Sequence, residues 1–292
     1  MIYNLNIPFI SAARESTESR NALKYKYEIN PAPSLTILKL STPLLEVMRK
    51  ELKAVIGGES SVAVAFSGGV DSSVLAKMCK DLNRSVTLLT VGFAGSHDMV
   101  FATTIASMLQ LPHKKHEIQQ DEFYEKLKEV ERRINCGIAS HLENCIAYLF
   151  VVRLAKENGF RVVLTANGLD ELFCGYNQYR FVYKYGESSI MELTKVKILN
   201  ELLLMEEIAA VASDYGVSIN KPFLSEKFIE FANTIPIDEK IKGENDMLRK
   251  HIIRRLAIDI GVPEEAAMKP KKALQYGSSI HKYFMKQNHH NQ

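Results

Sequence analysis

Residues 62–80, VAVAFSGGVDSSVLAKMCK, decide the fold class. The run at 62–66 is short, apolar and rich in valine, which is typical of a strand buried on both faces of a parallel sheet. A turn of serines and glycines follows, and helical spacing continues to about residue 83. A second apolar run at 86–91 comes next, so the stretch predicts two parallel strands joined by a crossover helix.

The same alternation continues along the chain. Helical spacing is predicted from Leu44 to the glycine pair at 57–58, and again over 102–109, 123–134 and 141–158, before an apolar strand at 161–166. This pattern predicts an α/β fold with a doubly wound parallel sheet. After about residue 185 the pattern is helical, and we predict no further strand. The predicted organisation is an N-terminal arm (1–40), an α/β core (41–185) and a helical C-terminal part (186–292).

The amino-acid composition excludes several classes of function. The chain has 292 residues, 46% of them hydrophobic, and a formal charge of +3, which is too small to indicate a protein that coats nucleic acid. No run of 18 apolar residues and no basic leader is present, so we expect no membrane span and a cytoplasmic location. The four cysteines lack C-x-x-C spacing, which argues against a zinc or iron–sulfur site.

The turn after the first strand predicts a phosphate-binding loop. Glycines without Cβ atoms allow backbone N–H groups to converge on phosphate oxygens, and the following helix N-terminus adds partial positive charge. No lysine follows the glycines, so the loop is not a kinase-type or GTPase-type P-loop. The predicted phosphate contacts come from Ser67, Gly68, Gly69, Ser72 and Ser73.

Asp71 lies inside this loop and predicts a metal ion. A carboxylate beside phosphates repels them unless a divalent cation lies between the two. We therefore predict Mg²⁺ bound to Asp71. A tight turn with capping serines would explain the glycines but not this acid.

These motifs resemble a known family. The SGGVDS string at 67–72 is similar to the signature of the PP-loop ATP pyrophosphatases, which split ATP into AMP and pyrophosphate. Three further blocks resemble the synthetase domain of asparagine synthetases: VGFAGSHD at 91–98, LPHKKHEI at 111–118 and LTANGLDELFCGY at 164–176. The segments GVSINKPFLSEKFIEFA at 216–232 and MKPKKALQYGS at 268–278 resemble later blocks of the same family, so the resemblance covers roughly residues 40–280.

The resemblance implies ATP and Mg²⁺ as cofactors and assigns roles to individual residues. It implies that Val91 and Gly92 present backbone groups to adenine, and that Lys271 stabilises the departing pyrophosphate. It also implies that Asp170 joins Asp71 as a metal ligand. The main chain of Thr165 and Ala166 would line the nucleotide site.

Departures from the family pattern bear on the substrate. Asn167 stands where asparagine synthetases have a glutamate, so the side chain can form hydrogen bonds but cannot take a proton. We keep Asn167 with Lys271 as the predicted catalytic pair. Ser218, Asn220 and Ser225 replace charged residues of the family, which disfavours aspartate as the acceptor. The glutaminase domain is expected to be absent, so nitrogen would come from ammonia, an amine or a separate glutaminase subunit.

The predicted function is an AMP- and pyrophosphate-forming amide ligase of asparagine-synthetase type, which adenylates a small carboxylate and transfers ammonia or an amine to it. One alternative is a PP-loop tRNA-modifying enzyme, although no basic groove or thiol pair supports it and nucleic acid is not an expected partner. Another is a non-catalytic nucleotide-binding partner subunit. Homo-oligomerisation stays open.

Several other polar residues have simpler interpretations. His113 and His116 are predicted to be surface polar groups rather than metal ligands. Cys174 is interpreted as an inert packed thiol. A cluster of basic residues near residue 250 is interpreted as a solvated helix face. It comprises Arg249, Lys250, Arg254 and Arg255.

Overall fold

The computed structural model describes residues 35–134 and 138–290, and it gives side chains for 41–134 and 138–287. The strands are β1 (Ser61–Ala65), β2 (Ser85–Gly92), β3 (His113–Glu117), β4 (Val162–Leu164) and β5 (Ser218–Asn220). Helices α1 to α5 are Leu35–Ile56, Val70–Asp81, His97–Leu109, Gln120–Arg133 and Ala139–Glu157. Helices α6 to α9 are Leu169–Leu172, Gln178–Tyr183, Glu187–Ser213 and Glu226–Asn233. Helices α10 to α13 are His251–Asp259, Glu264–Ala267, Leu274–Gly277 and Ile280–His290.

The strands form one sheet with the order β3-β2-β1-β4-β5. Every neighbouring pair is parallel, and Val64 of β1 lies in register with Leu88 on one side and Leu164 on the other. The chain builds outward from β1 to β3 and then returns to the opposite side of β1. This reversal leaves a crevice at the carboxyl ends of β1 and β4, where open α/β sheets bind ligands. The predicted doubly wound α/β fold is confirmed.

The alternation of side chains along β1 separates two cores. Val62 and Val64 face the cluster that includes α1, α2 and α10, whereas Ala63 faces the cluster that includes α5 and α8. Successive side chains of a strand point to opposite faces, so a strand covered on both sides is apolar throughout. Helices therefore cover both faces of β1, and the loop after it begins at the end of a buried strand.

Helix α1 confirms the predicted apolar stripe. Leu44, Met48 and Leu52 are fully buried, and the helix ends at Ile56 before Gly57, whose φ of +58° suits glycine. The helix begins at Leu35, within the predicted N-terminal arm. The rest of that arm, residues 1–34, lies outside the described residues.

The prediction that strands end before residue 185 is wrong. β5 pairs in parallel with β4 at the sheet edge, so the C-terminal part of the chain contributes to the sheet. The strand escaped detection because it has three residues, SIN, of which one is apolar. Among the described helices, none is long and apolar enough to cross a membrane.

Candidate active site

The loop between β1 and α2 forms a compact turn at the crevice. Gly68 has a φ of +76°, and an added Cβ would lie 2.9 Å from the Phe101 ring, so the turn requires glycine. The Gly69 amide donates to Ser67 Oγ at 3.3 Å, and Ser72 Oγ donates to the Gly69 carbonyl at 3.3 Å. These contacts direct the first turn of α2, with its free N–H groups, towards the crevice. We call this loop, residues 67–72, the nest, because glycines before a helix N-terminus are a common setting for backbone N–H groups that bind anions.

This loop opens into a cavity of about 470 Å³, which lies within the usual size range of small-molecule sites. A smaller cavity of about 50 Å³ adjoins it between the loop and the segment at 269–272. The predicted residues that line the large cavity are Ser67, Asp71, Ser72, Val91, Thr165, Ala166, Asn167, Asp170 and Lys271. Gly69 lines the small cavity.

Three predicted contact residues lie behind the cavity walls. Ser73 is fully buried, and its hydroxyl donates to the Gly68 carbonyl at 3.4 Å. A Cβ on Gly92 would lie 2.7 Å from Ser96 Oγ, so this glycine allows close packing of the loop after β2. None of the three, Gly68, Ser73 and Gly92, lines either cavity. Gly68 and Gly92 permit close backbone packing around the site, and the Ser73 hydroxyl holds the Gly68 carbonyl.

Four charged groups meet beside the nest. Lys250 Nζ donates to Asp71 Oδ2 at 2.6 Å and to Asp170 Oδ1 at 2.8 Å, and Lys271 Nζ donates to Asp170 Oδ2. Burial would raise the pKa of Asp170, but the two lysines outweigh burial and hold it well below its ordinary value. Asp170 is therefore a firmly ionised carboxylate. The pKa of Asp71 is raised, mainly by burial.

The structure corrects the interpretation of the basic cluster. Arg249, Lys250 and Arg254 are buried, with exposures of 3%, 1% and 3%, and they do not form a solvated face. Arg249 and Lys250 both have positive φ values, 51° and 52°, which turn the chain inward immediately before α10. Lys250 thus reaches the carboxylates, and Arg254 binds the Ala267 and Lys269 carbonyls. No sequence pattern marked this inward turn.

The carboxylates beside the nest, Asp71 and Asp170, suit a divalent cation. Asp71 Oδ1 is buried without a hydrogen-bond partner in the described structure, so it is available as a ligand. Carboxylate and phosphate oxygens are the ligands that Mg²⁺ prefers, and it commonly binds one or two carboxylates together with substrate phosphates. Among the described residues, no group of three or more His, Cys, Asp or Glu side chains forms a metal site. The pair therefore fits Mg²⁺ only in company with phosphate oxygens: Asp71 Oδ1 is available, whereas Asp170 would have to release one of its two lysine contacts.

The far end of the cavity is centred on Asn167. Tyr148 donates its hydroxyl to Asn167 Oδ1 at 2.6 Å, and Thr165 donates to the same oxygen. Asn167 Nδ2 donates to the Glu201 carboxylate of α8. The two hydroxyls fix the orientation of the amide, which turns its nitrogen towards Glu201. Both Tyr148 and Glu201 line the cavity and were missed by the sequence analysis.

Glu171 is a second buried carboxylate at this end. Its Oε2 accepts from the Gly168 amide at 3.0 Å, and its Oε1 accepts from the Tyr176 hydroxyl. Burial, with the nearby Glu201 and Asp170 charges, raises the pKa of Glu171 to about 8. Lys197 of α8 also lines this end. We call the region of Asn167, Glu171, Lys197 and Glu201 the acceptor end, and the region of the nest and the four paired charges the phosphate end.

The substitutions at 218–225 lie away from the cavity. Ser225 caps α9, because its hydroxyl accepts from the Phe228 amide at 3.2 Å. Ser218 is exposed, and the Asn220 carbonyl accepts a hydrogen bond from the Thr165 amide at 2.9 Å. None of the three lines the cavity, so their lost charges do not define the acceptor site directly.

The histidines and the cysteine make local contacts. His113 bonds to Thr90 Oγ1 at 2.8 Å, and His116 to Glu122 at 3.0 Å, both on or beside the edge strand β3. Cys174 is buried, and burial raises the pKa of its thiol to about 12, which matches a packed, unreactive thiol.

Together the fold and site define a parallel α/β protein with a glycine-containing strand-to-helix loop at the topological switch point of its sheet. The family model described as asparagine synthase matches residues 44–195 and 188–291. The chain therefore belongs to the asparagine synthase family.

Individual relatives are more distant. The chain is 28% identical to the Methanocaldococcus jannaschii protein named "Putative asparagine synthetase (glutamine-hydrolyzing) 1", over 89% of this chain and 54% of that protein. It is 25% identical to asparagine synthetase B (glutamine-hydrolyzing) of Escherichia coli, over 80% and 44% of the two chains. The chain thus spans about half the length of these relatives. A solved NMN synthetase from Francisella tularensis is similar with a TM-score of 0.35 and 16% identity, over 68% of this chain and 93% of that one.

Proposed function

We propose that this chain is an ATP-dependent amide ligase that forms AMP and pyrophosphate. The observation that carries the proposal is a single cavity that joins the anion-binding nest to an end lined by carboxylate, amide and hydroxyl groups. Such an arrangement holds a nucleotide and a second substrate next to each other, which is the geometry that group transfer needs. Membership of the asparagine synthase family supports the same reaction class.

In the proposed reaction, the nest and the first turn of α2 bind the phosphates of ATP, and Val91 lies beside the base. A substrate carboxylate at the acceptor end attacks the α-phosphorus, and the bond to pyrophosphate breaks. Lys271 and Lys250 stabilise the negative charge of the departing pyrophosphate. Mg²⁺, when held by Asp71 and Asp170, supplies further charge neutralisation on the phosphates.

The acyl-adenylate then reacts with ammonia or a primary amine, and AMP leaves. Asn167 is proposed to hold the acyl group or the nitrogen by hydrogen bonding, since its amide faces the cavity. Main-chain groups of Thr165 and Ala166 are proposed to line the nucleotide. The acceptor is proposed to be a small-molecule carboxylic acid that binds beside the nucleotide in this cavity.

The test is product analysis with the whole chain. Incubation with ATP, Mg²⁺, ammonium chloride and a panel of small carboxylic acids is expected to release AMP and pyrophosphate. Asp71→Ala is expected to lose this activity at least ~100-fold, as is typical when an electrostatic contact to the transferring group is removed. Release of ADP would contradict the proposal. Tight ATP binding without AMP release would instead support a nucleotide-binding partner subunit.

A further inference from the structure

Lys250 lies between the two carboxylates that suit a divalent cation. Its ammonium donates to Asp71 Oδ2 at 2.6 Å and to Asp170 Oδ1 at 2.8 Å, and its side chain is 1% exposed. Lys271 donates to the other oxygen of Asp170, so both oxygens of that carboxylate accept from lysine. A cation shared by Asp71 and Asp170 therefore has to take the place of an ammonium group. Lys250 is the lysine that is bonded to both carboxylates.

The formal charges at this position already cancel. Two carboxylates face two ammonium groups, so their formal charges sum to zero. A divalent cation alone would add two positive charges to a buried site, which is strongly unfavourable without counter-charges. The phosphates of a nucleotide bring the negative charge that such a cation needs. Charge balance thus favours a cation that binds together with phosphate.

The small cavity offers the Lys250 ammonium a second anionic partner. Lys250 lines this cavity together with Ser67, Gly69 and Ser72 of the nest. A phosphate bound at the nest in this space lies beside the Lys250 side chain, and phosphate oxygens accept from an ammonium as carboxylate oxygens do. The lysine can therefore leave the carboxylates without losing a charged hydrogen-bond partner.

The main chain around Lys250 is anchored on both sides. Arg249 Nε donates to the Gly175 carbonyl at 3.1 Å, and Arg254 Nε donates to the Arg249 carbonyl at 2.7 Å. Both arginines are buried. A change of partner by the Lys250 ammonium is therefore a movement of the side chain, which needs no rearrangement of the backbone.

We propose that Lys250 is an exchangeable counter-ion that makes metal binding depend on nucleotide binding, and this inference rests on the proposed function. Without nucleotide phosphates, its ammonium neutralises Asp71 and Asp170 and prevents a divalent cation from sharing them. When phosphates occupy the nest, the ammonium transfers to them, and the two carboxylates become available to the cation. The chain then binds ATP and Mg²⁺ together in preference to Mg²⁺ alone.

The first test measures binding of Mn²⁺, a paramagnetic substitute for Mg²⁺, to the whole chain by electron paramagnetic resonance. Without nucleotide, we expect Lys250→Met to bind Mn²⁺ at least ~10-fold more tightly than wild type, within the usual range of coupling between two sites. Lys227→Met, at an exposed position, is the matched control and is expected to bind as wild type does. The double variant Lys250→Met/Asp71→Asn is expected to lose the gain, because it lacks one of the carboxylate ligands.

The second test uses the stability of Lys250→Met, which leaves two buried carboxylates without the ammonium they share. We expect about 10 mM MgCl₂ to raise the Tm of this variant by roughly 5 °C or more, and that of wild type by less than about 2 °C. A variant that folds only when Mg²⁺ is present shows the same rescue. A variant that folds in neither condition contradicts the inference, because the cation then fails to replace the ammonium.

The dependence on nucleotide is tested in wild type with α,β-methylene-ATP, whose α–β bridge resists cleavage. Its Mn²⁺ complex is expected to bind at least ~10-fold more tightly than Mn²⁺ alone. Equal affinities for the two, or equal Mn²⁺ affinity in wild type and Lys250→Met, overturn the inference. These titrations involve no turnover, so they are independent of product analysis. Wild-type protein that releases no AMP with any acid overturns the proposed function instead.

Discussion

The two ends of the cavity differ in how their charges are balanced. At the phosphate end, Asp71 and Asp170 are paired with Lys250 and Lys271, so the charges compensate one another within the protein. At the acceptor end, no lysine among the described residues forms an ion pair with Glu171 or Glu201, and burial raises the pKa of both carboxyls above the ordinary value. The phosphate end thus holds its charges as ion pairs, whereas the acceptor end holds buried carboxyls that favour the neutral form.

The largest expected effect is at the phosphate end. Lys250→Met removes the buried ammonium that joins Asp71 and Asp170, and breaking a buried ion pair typically costs about 3–5 kcal/mol. We expect a fall in Tm of roughly 10 °C, measured by differential scanning calorimetry. Lys227→Met, at an exposed position, is the control. A Tm within about 2 °C of wild type would show that the paired charges are not stabilising the phosphate end.

The next largest effect on stability is expected at Gly168, in the turn between the two ends of the cavity. Gly168 has a φ of +104°, and an added Cβ would lie 2.3 Å from the Phe223 carbonyl oxygen. Gly186 has a similar φ of +89° but no atom within 4 Å of its Cβ position. We therefore expect Gly168→Ala to destabilise the fold by at least ~2 kcal/mol more than Gly186→Ala, which carries backbone strain alone. Chemical denaturation of both variants gives the difference, and equal losses would mean that the clash is relieved by a shift of the loop.

The carboxylates of the acceptor end predict a specific pH dependence. The pKa of Glu171 is about 8 in the folded chain, against an ordinary value of 4.5. Because the folded pKa is the higher one, stability is full below pH 4.5 and is lost as pH rises through 8. Glu171→Gln mimics the protonated form and should escape this loss, so its Tm should decline less than that of wild type between pH 6 and 9. The loss approaches about 1.4 kcal/mol per pH unit between the two pKa values and ends above pH 8. Parallel Tm curves would contradict the prediction.

The smallest expected effect lies outside the cavity. Ser225→Ala removes the cap of α9 and should cost about 1 kcal/mol of unfolding free energy. Because Ser225 does not line the cavity, KM for the acceptor acid should stay at the wild-type value. Ser218→Ala, at an exposed site, is expected to change neither quantity. A raised KM in Ser225→Ala would extend the acceptor end beyond the residues described above.

The two ends also differ in how far the sequence predicts them. The phosphate-end loop was predictable because Ser67, Asp71 and Ser72 follow one another in a strand–turn–helix motif whose backbone geometry is local. Lys250 was not predictable as a site residue, because its burial depends on two consecutive residues with positive φ. A lysine among arginines at helical spacing suggests a solvated face instead. Glu201 was not predictable either, because nothing in the sequence pattern of a long helix shows which polar residue faces a cavity.

The strand β5 was not predicted from the sequence for a related reason. Its polar sequence has no strand period, and it exists because β4 offers an open edge in register. Site residues that depend on chain segments far apart, such as Lys250 and Glu201, are fixed by tertiary packing. Such residues can be recognised as site residues only when the positions of the sheet and α8 are known.

The bridge from Lys250 to Asp71 spans 179 positions of the chain. During synthesis, the N-terminal strands and the glycine turn therefore emerge from the ribosome long before the counter-ion that completes them. Until residue 250 follows, the nascent chain holds two acidic groups without their cation. The proposed binding of a nucleotide at the phosphate end would therefore follow the synthesis of Lys250 rather than that of the glycine turn.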